Sequence, residues 1–443
     1  MEKQIKVTVG ENLRRIRKDL DLKQHEIAGE DITRNLISLI ENDKAILYDT
    51  AANIIAKNIN RIMNERNSNI FIKPEDLLNP ERYDARKKAN TYIEMLENSL
   101  AKKELNVELE ELNEIEAFLN HWDIVDKKVR IYELLGDIFY VSNNLSKEYY
   151  YYFKALEASY DHPNMKTRYK LALKLVYNCI VTGKNEEAIN LCNYMLLSQK
   201  DMPDRVVGIF YYNSALAHKN LGEIRKCFEI LNTAKKHFNM SINDNNKDMK
   251  NVLMLEGVCY FRIGNYTDSL KSYIEILNLL NENNSTDEIC VAYINIIQIY
   301  IKKNDKENIL KYFDKVLISL PYINENSFYL PEIYYEVSNI YSYLENYDDS
   351  EKYLSAAIAL SKKSGKQNLY KKFMSGLLEL YIKANWINKL NNLMNSIEND
   401  FADMKLSEEF ILILKLLLYY IKQNNYKVAE TLIQNLIQKE KEV

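Results

Sequence analysis

From about residue 84 onward, apolar side chains recur at three- and four-residue steps over stretches of helical length, the pattern of helices with one buried face. Short turns carrying Asn or Gly separate the stretches. These turns are Asn143-Asn144, Gly183-Lys184-Asn185, Leu221-Gly222-Glu223, Gly264-Asn265-Tyr266, Lys303-Asn304-Asp305, Glu345-Asn346-Tyr347, Ala384-Asn385-Trp386 and Asn424-Asn425-Tyr426. From Asn144 to Asn185 is 41 residues, and Asn265, Asn304, Asn346, Asn385 and Asn425 follow one another at steps of 39, 42, 39 and 40. A fixed period of this size predicts stacked helix pairs, each burying its apolar face against its neighbours. The expected fold is all-α, with a solenoid in place of the several independent domains that 443 residues would otherwise suggest.

The first 66 residues follow another pattern. GENLRRIRKDLDLKQHEIAGEDITRNLISLIENDK predicts three short helices in quick succession. Leu13, Ile16 and Leu20 form the apolar stripe of the first. The second runs from about Lys23 to Ala28, with Ile27 and Ala28 inward, and Gly29-Glu30-Asp31 ends it. Thr33 N-caps a third helix reaching about Glu41. Leu36, Ile37 and Ile40 bury that helix, and Arg34, Asn35 and Ser38 fall on its opposite face. A fourth helix from about Thr50 to Met63 closes the unit, with Asp49 as its cap and Ile54, Ile55, Ile59 and Ile62 as its core contacts.

Residues 67–83 hold Pro74 and Pro80 and lack a sustained helical period, so they read as a linker, ordered in part by Ile70, Phe71, Leu77 and Leu78. A helix then runs from about Glu81 to Lys103, and Asn106 turns the chain into a second ending near Trp122. With this pair, residues 84–443 form about nine helix pairs. Tyr132-x-x-Leu135-Gly136-x-x-Phe139 matches the first-helix signature of tetratricopeptide repeats, and Gly257 to Tyr260 repeats its spacing. Ala188, Cys227, Ser269, Ser350 and Ala429 place small residues where two helices must approach closely. A right-handed tetratricopeptide-like solenoid is the expectation. HEAT-type pairs are the alternative.

Composition narrows the function classes. The net charge of −4 excludes a polyanion binder by bulk charge, but residues 1–66 carry twelve Lys/Arg against eleven Asp/Glu, and Arg14, Arg15, Arg17 and Lys18 cluster on the first helix. The cysteines, Cys179, Cys192, Cys227, Cys259 and Cys290, lie in repeat helices without a C-x-x-C pair, which predicts reduced core thiols and a cytoplasmic protein. The N-terminus has no apolar signal core, and Phe410 to Ile421 is too short to span a bilayer and is interrupted by Lys415. His25, His121, His162, His218 and His237 are scattered, with no nucleophile–base pair, phosphate loop or metal cluster, so neither catalysis nor a cofactor is expected.

Leu13-x-x-Ile16-Arg17, Gln24-x-x-Ile27-Ala28 and Thr33-Arg34-Asn35-Leu36-Ile37-Ser38-Leu39-Ile40-Glu41-Asn42 together resemble the helix-turn-helix of the phage-repressor (XRE/Cro) class. The chain departs from that class at Asp43, where Gly is usual, and in a slightly long second connection. The resemblance implies that residues 34–41 form a recognition helix in the major groove of an operator. Arg34 can then donate twice to guanine and Asn35 can pair with adenine. The same resemblance makes Gln24 and Ser38 positioning contacts, and Thr33 and Lys44 complete the candidate set. An XRE-type module followed by a long tetratricopeptide array is similar to the RRNPP family of peptide-responsive regulators. That likeness implies a homodimer whose array binds a short signalling peptide in quorum sensing and thereby switches its affinity for double-stranded DNA. Asn213, Asn251, Asn295 and Asn339 lie at or near inward phases of the first helices, where amides can pair with an extended peptide backbone. An Asn-rich composition is the other explanation for them. The competing function is an array that antagonises a response regulator or other partner protein.

Overall fold

The structure is a computed structural model and describes residues 7–68, 70–102, 108–162, 165–197, 202–240, 246–280, 286–363, 367–400, 409–431 and 433. Four helices come first: α1 (Val9–Asp19), α2 (Gln24–Ala28), α3 (Arg34–Glu41) and α4 (Asp49–Glu65). Thr8 starts α1 through a capping box, its hydroxyl accepting from the Glu11 amide while the Glu11 carboxylate accepts from the Thr8 amide. Leu13, Ile16, Ile27, Ala28, Ile37, Ile40, Ile55 and Ile59 share one buried cluster, with Leu36 and Ile62 at its edge. Two expectations for α4 need correcting. Asp49 is its first residue instead of its cap, a place where a carboxylate meets the positive end of the helix dipole. Ile54 stands half-buried outside the cluster, because it lies one position off the stripe formed by Ala52, Ile55, Ala56, Ile59 and Met63.

Residues 67–83 are packed into this cluster. They contain α5 (Pro74–Leu78) and bury Ile72, Leu77 and Tyr83 with the side chains of α1–α4. Asn60 clasps the backbone of Ile72, donating to its carbonyl and accepting from its amide, both at 2.8 Å. A five-residue helix fixed by such tertiary contacts is too short to leave a period in the sequence.

The pairs follow as α6 (Pro80–Lys102) with α7 (Leu109–Trp122), α8 (Val125–Val141) with α9 (Leu145–Ala158), and α10 (Met165–Val181) with α11 (Asn185–Leu197). Next are α12 (Asp204–Asn220) with α13 (Ile224–Met240), α14 (Asn246–Arg262) with α15 (Tyr266–Leu279), and α16 (Thr286–Lys302) with α17 (Lys306–Ser319). The last are α18 (Leu330–Tyr343) with α19 (Tyr347–Lys363), α20 (Gln367–Lys383) with α21 (Ile387–Asp400), and α22 (Glu409–Lys422) with helical residues 426–431. The architecture is an all-α tetratricopeptide-like solenoid, with no strand and no helix long and apolar enough to cross a membrane among the described residues. The turn placed at Asn106 and the side chains of 410–414 lie outside the described residues. Two compact units divide the chain, one to Val252 and one from Leu253.

Each repeating turn has one physical cause. Asn143, Gly183, Gly222, Gly264, Asn304, Glu345, Asn385 and Asn424 all have φ between 52° and 81°, the left-handed geometry that ends a helix and that Gly and Asn adopt most readily. Glu345 is the exception, with its Asn one residue later. The small residues act as the sequence suggests: Ala188, Cys227, Ser269, Ser350 and Ala429 are all buried. The Ser269 hydroxyl also donates to the Gly257 carbonyl at 2.8 Å. All five cysteines are buried, and none forms a disulfide.

Candidate functional site

Thr33 caps α3, its hydroxyl accepting from the Leu36 amide at 3.2 Å. Ile37, Ile40 and Glu41 are buried beneath the helix. Arg34 and Asn35 are exposed in its first turn, Ser38 is half-buried one turn on, and Lys44 is exposed just past the helix end. Arg34, Asn35 and Ser38 share one side by helical spacing.

What holds that side in place is a polar clasp on the opposite face. The Glu41 carboxylate accepts from Arg17 Nε at 2.5 Å and Nη2 at 2.8 Å, and from the Gln24 amide at 2.9 Å. Burial pushes Glu41 upward, but Arg17 and Gln24 more than offset it and hold the carboxyl below the usual range. The bond to Glu41 in turn raises the Arg17 guanidinium. Gln24, read as a positioning contact to DNA, thus has its amide nitrogen on Glu41 and ties α2 to α3. The basic cluster on α1 also divides. Arg17 is in the clasp and Arg15 pairs with Asp84 at 3.1 Å, while Arg14 and Lys18 remain exposed. Exposed Tyr48 and Ile46 follow Lys44, and no periodic pattern marks them in the sequence.

These helices are docked on α5 and α6. The Asn12 amide donates to the carbonyls of Asp76 at 2.9 Å and Leu77 at 3.0 Å, Tyr83 donates to Asp19, and Arg66 donates to the Leu20 carbonyl at 3.2 Å. Arg82 continues the connection, binding Asp76 and the Trp122 carbonyl at 2.5 Å each.

The candidate peptide-binding asparagines are not one set. Asn213 on α12 is half-buried and Asn251 on α14 is exposed, and neither side chain makes a hydrogen bond among the described residues. Asn295 on α16 donates to the Met254 sulfur at 3.4 Å, and Asn339 on α18 donates to Glu336 at 3.3 Å. The first two belong to one compact unit and the last two to the other. A charged group on the first helices was missed. Glu133 on α8 accepts from Lys170 and Lys174 at 2.8 Å each and from Arg130 at 3.1 Å, and Asp137 takes Lys174 at 2.5 Å. Burial raises Glu133, yet the lysines pull it down to about 2. Its signal was available: Lys174 follows Glu133 by 41 residues, one repeat. His218 is buried with Nδ1 2.6 Å from Glu223, a local structural pair, and no metal-ligating group of three occurs among the described residues.

No protein-family model and no curated protein matches the sequence. Solved structures match in fold. The apo form of the quorum sensor NprR from B. thuringiensis is 14% identical, with 86% of this chain and 98% of that chain covered at a TM-score of 0.52. A tetratricopeptide repeat protein from Parabacteroides merdae is 13% identical, with 65% and 99% covered and a TM-score of 0.47. The apo form of RapI is 11% identical, with 80% and 97% covered and a TM-score of 0.44. At 14% identity the likeness to NprR speaks for fold alone.

Proposed function

We propose that this chain is a DNA-binding transcription regulator whose repeat array takes a short peptide that alters its affinity for DNA. The observation that carries the reading is α3: a capped helix, pinned from behind through Glu41, with Arg34 and Asn35 exposed in its first turn. A helix so presented can set its first turn against base edges in the major groove, Arg34 on guanine and Asn35 on adenine. In this reading Thr33, Ser38 and Lys44 contact the DNA backbone. Support for the peptide half comes from the repeat array itself and from the fold shared with a quorum sensor. One recognition helix covers a half-site, which favours a homodimer, and a DNA target together with cysteines that form no disulfide favours the cytoplasm.

The physical basis is linkage: a peptide shifts DNA binding only by the ratio of its affinities for the competent and incompetent forms. The test is anisotropy titration of the full chain against a duplex from its own upstream region and against a scrambled duplex, both at about 150 mM salt because backbone binding is strongly salt-dependent. Preference for the native duplex is expected, and Arg34→Ala should remove about 1–3 kcal/mol of it. Equal affinity for both duplexes, with and without peptide, would instead favour a partner-protein antagonist.

A further inference from the structure

A cavity of about 240 Å³ opens between α6, α8 and α10 in the first unit. Ile70, Ile93 and Val129 are its apolar lining, and its polar lining comprises Asn90, Asp126, Lys127, His162 and Thr167 with the ion-paired Arg130 and Glu133. Lys127 is half-buried, and among the described residues no carboxylate or carbonyl lies within hydrogen-bond distance of its ammonium. Its acidic neighbours are engaged elsewhere: Asp126 binds Arg86 through Oδ2, and Glu133 binds Arg130, Lys170 and Lys174. Burial holds the Lys127 ammonium below its usual range, with Asp126 opposing that shift. Asp126 Oδ1 is itself buried without a partner, and the Asn90 amide is exposed and unengaged. The cavity therefore offers one spare cation, one spare acceptor and an apolar surface.

That combination selects an occupant. The volume falls below the roughly 300–1,000 Å³ of pockets that enclose a drug-sized ligand, so it suits the end of a chain. An amino terminus would bring an ammonium against Lys127. A carboxy terminus brings a carboxylate for Lys127, a last peptide N–H for Asp126 Oδ1 and a side chain for the apolar walls.

We propose that this cavity receives the C-terminal residue of the peptide, its carboxylate on Lys127, and so sets the direction in which the peptide lies. The assignment rests on the peptide-binding reading above. It also supplies a route to the N-terminal helices. Ile70 lies two residues before Ile72, which Asn60 of α4 clasps, so the occupant would touch the segment that docks those helices.

The experiment offers the full chain two pools of short random-sequence peptides, identical except for a free or an amidated C-terminus, and quantifies retained peptide by mass spectrometry. The free-acid pool should be retained about tenfold better, the factor expected of one charge-assisted hydrogen bond. The preference should persist in Lys127→Arg and vanish in Lys127→Met, with the melting temperature of both variants as the folding control. Equal retention of the two pools overturns the assignment while leaving peptide binding intact, and so does a preference that survives in Lys127→Met. Inorganic phosphate binding as tightly as the free-acid pool overturns it in favour of a general anion site. Retention of neither pool removes the peptide reading and this inference with it.

Discussion

Glu41 is only 3% exposed, so its charge is tolerated because Arg17 and Gln24 satisfy it. Arg17→Met would leave the carboxylate buried with a single neutral donor, at a cost of about 3 kcal/mol or more. A solenoid does not unfold in one step, so the place to read this is amide hydrogen exchange of α2 and α3 in the full chain. Unchanged exchange there would remove the clasp as the support of α3. Glu133 gives a pH dependence with a definite sign. Its folded pKa of about 2 lies below the roughly 4.3 of an unfolded glutamate, so its contribution is complete above about 4.3 and is lost as pH falls toward 2. Protection of α8 and α10 against amide hydrogen exchange should fall across that window. In Lys174→Met the fall should be shallower, since Glu133 loses one of the two lysines that depress it. Parallel profiles for the two proteins would show that the lysine does not set the Glu133 titration.

Within the helix pairs, glycine serves two unrelated purposes that substitution can separate. A Cβ on Gly136 would clash with the Tyr152 ring, and the Tyr152 hydroxyl is held on Asp137 at 2.7 Å, so the ring cannot easily give way. Gly136→Ala should cost about 1–3 kcal/mol through overpacking of α8 on α9. Gly264 has φ of 78° with nothing within 4 Å of a built Cβ, so only backbone conformation matters there. Gly264→Asn should be nearly neutral, since asparagine tolerates the left-handed region. Hydrogen exchange of the flanking helices distinguishes the two, and equal effects would contradict the packing explanation for Gly136. The same distinction accounts for Glu345, which adopts φ of 63° in an open turn where the helix end, not side-chain room, imposes the geometry.

At the scale of the molecule, the N-terminal helices and the first helix pairs belong to one compact unit. A fragment ending at residue 66 would lack Ile72, Leu77 and Tyr83 from its core and the two carbonyls that Asn12 binds. Burial of each such side chain is worth about 1.5–3 kcal/mol, so their joint loss rivals the whole stability of a small domain. A fragment of residues 1–102 should therefore melt well above one of residues 1–66 by circular dichroism. Coincident melting would mean that the helices stand alone and that α5 and α6 merely lie beside them. A docked module is also what the proposed coupling would require, because a peptide and a DNA site would have to bias the same rigid arrangement.

Much of the fold was legible in the chain because its determinants are local and repeated. The left-handed turns at Asn143, Gly183 and their counterparts, the Thr33 cap and the buried stripes of α1–α3 each lie within a few residues of one another, and the turns recur at a steady period. Exposure of Arg34 and Asn35 followed from the same helical phase. What the sequence did not show depends on pairings between distant positions. Glu41 meets Arg17 across 24 residues and Gln24 across 17, pairings that helical spacing does not reveal. Ile72, Leu77 and Tyr83 made a packed element of a segment with no period of its own. Lys127 became informative only once Asp126 was seen to be taken by Arg86, 40 residues earlier, and Glu133 by lysines one repeat later. Local spacing determines which helices form and which of their faces are buried; only tertiary structure decides which charges are already satisfied and which are left for a ligand.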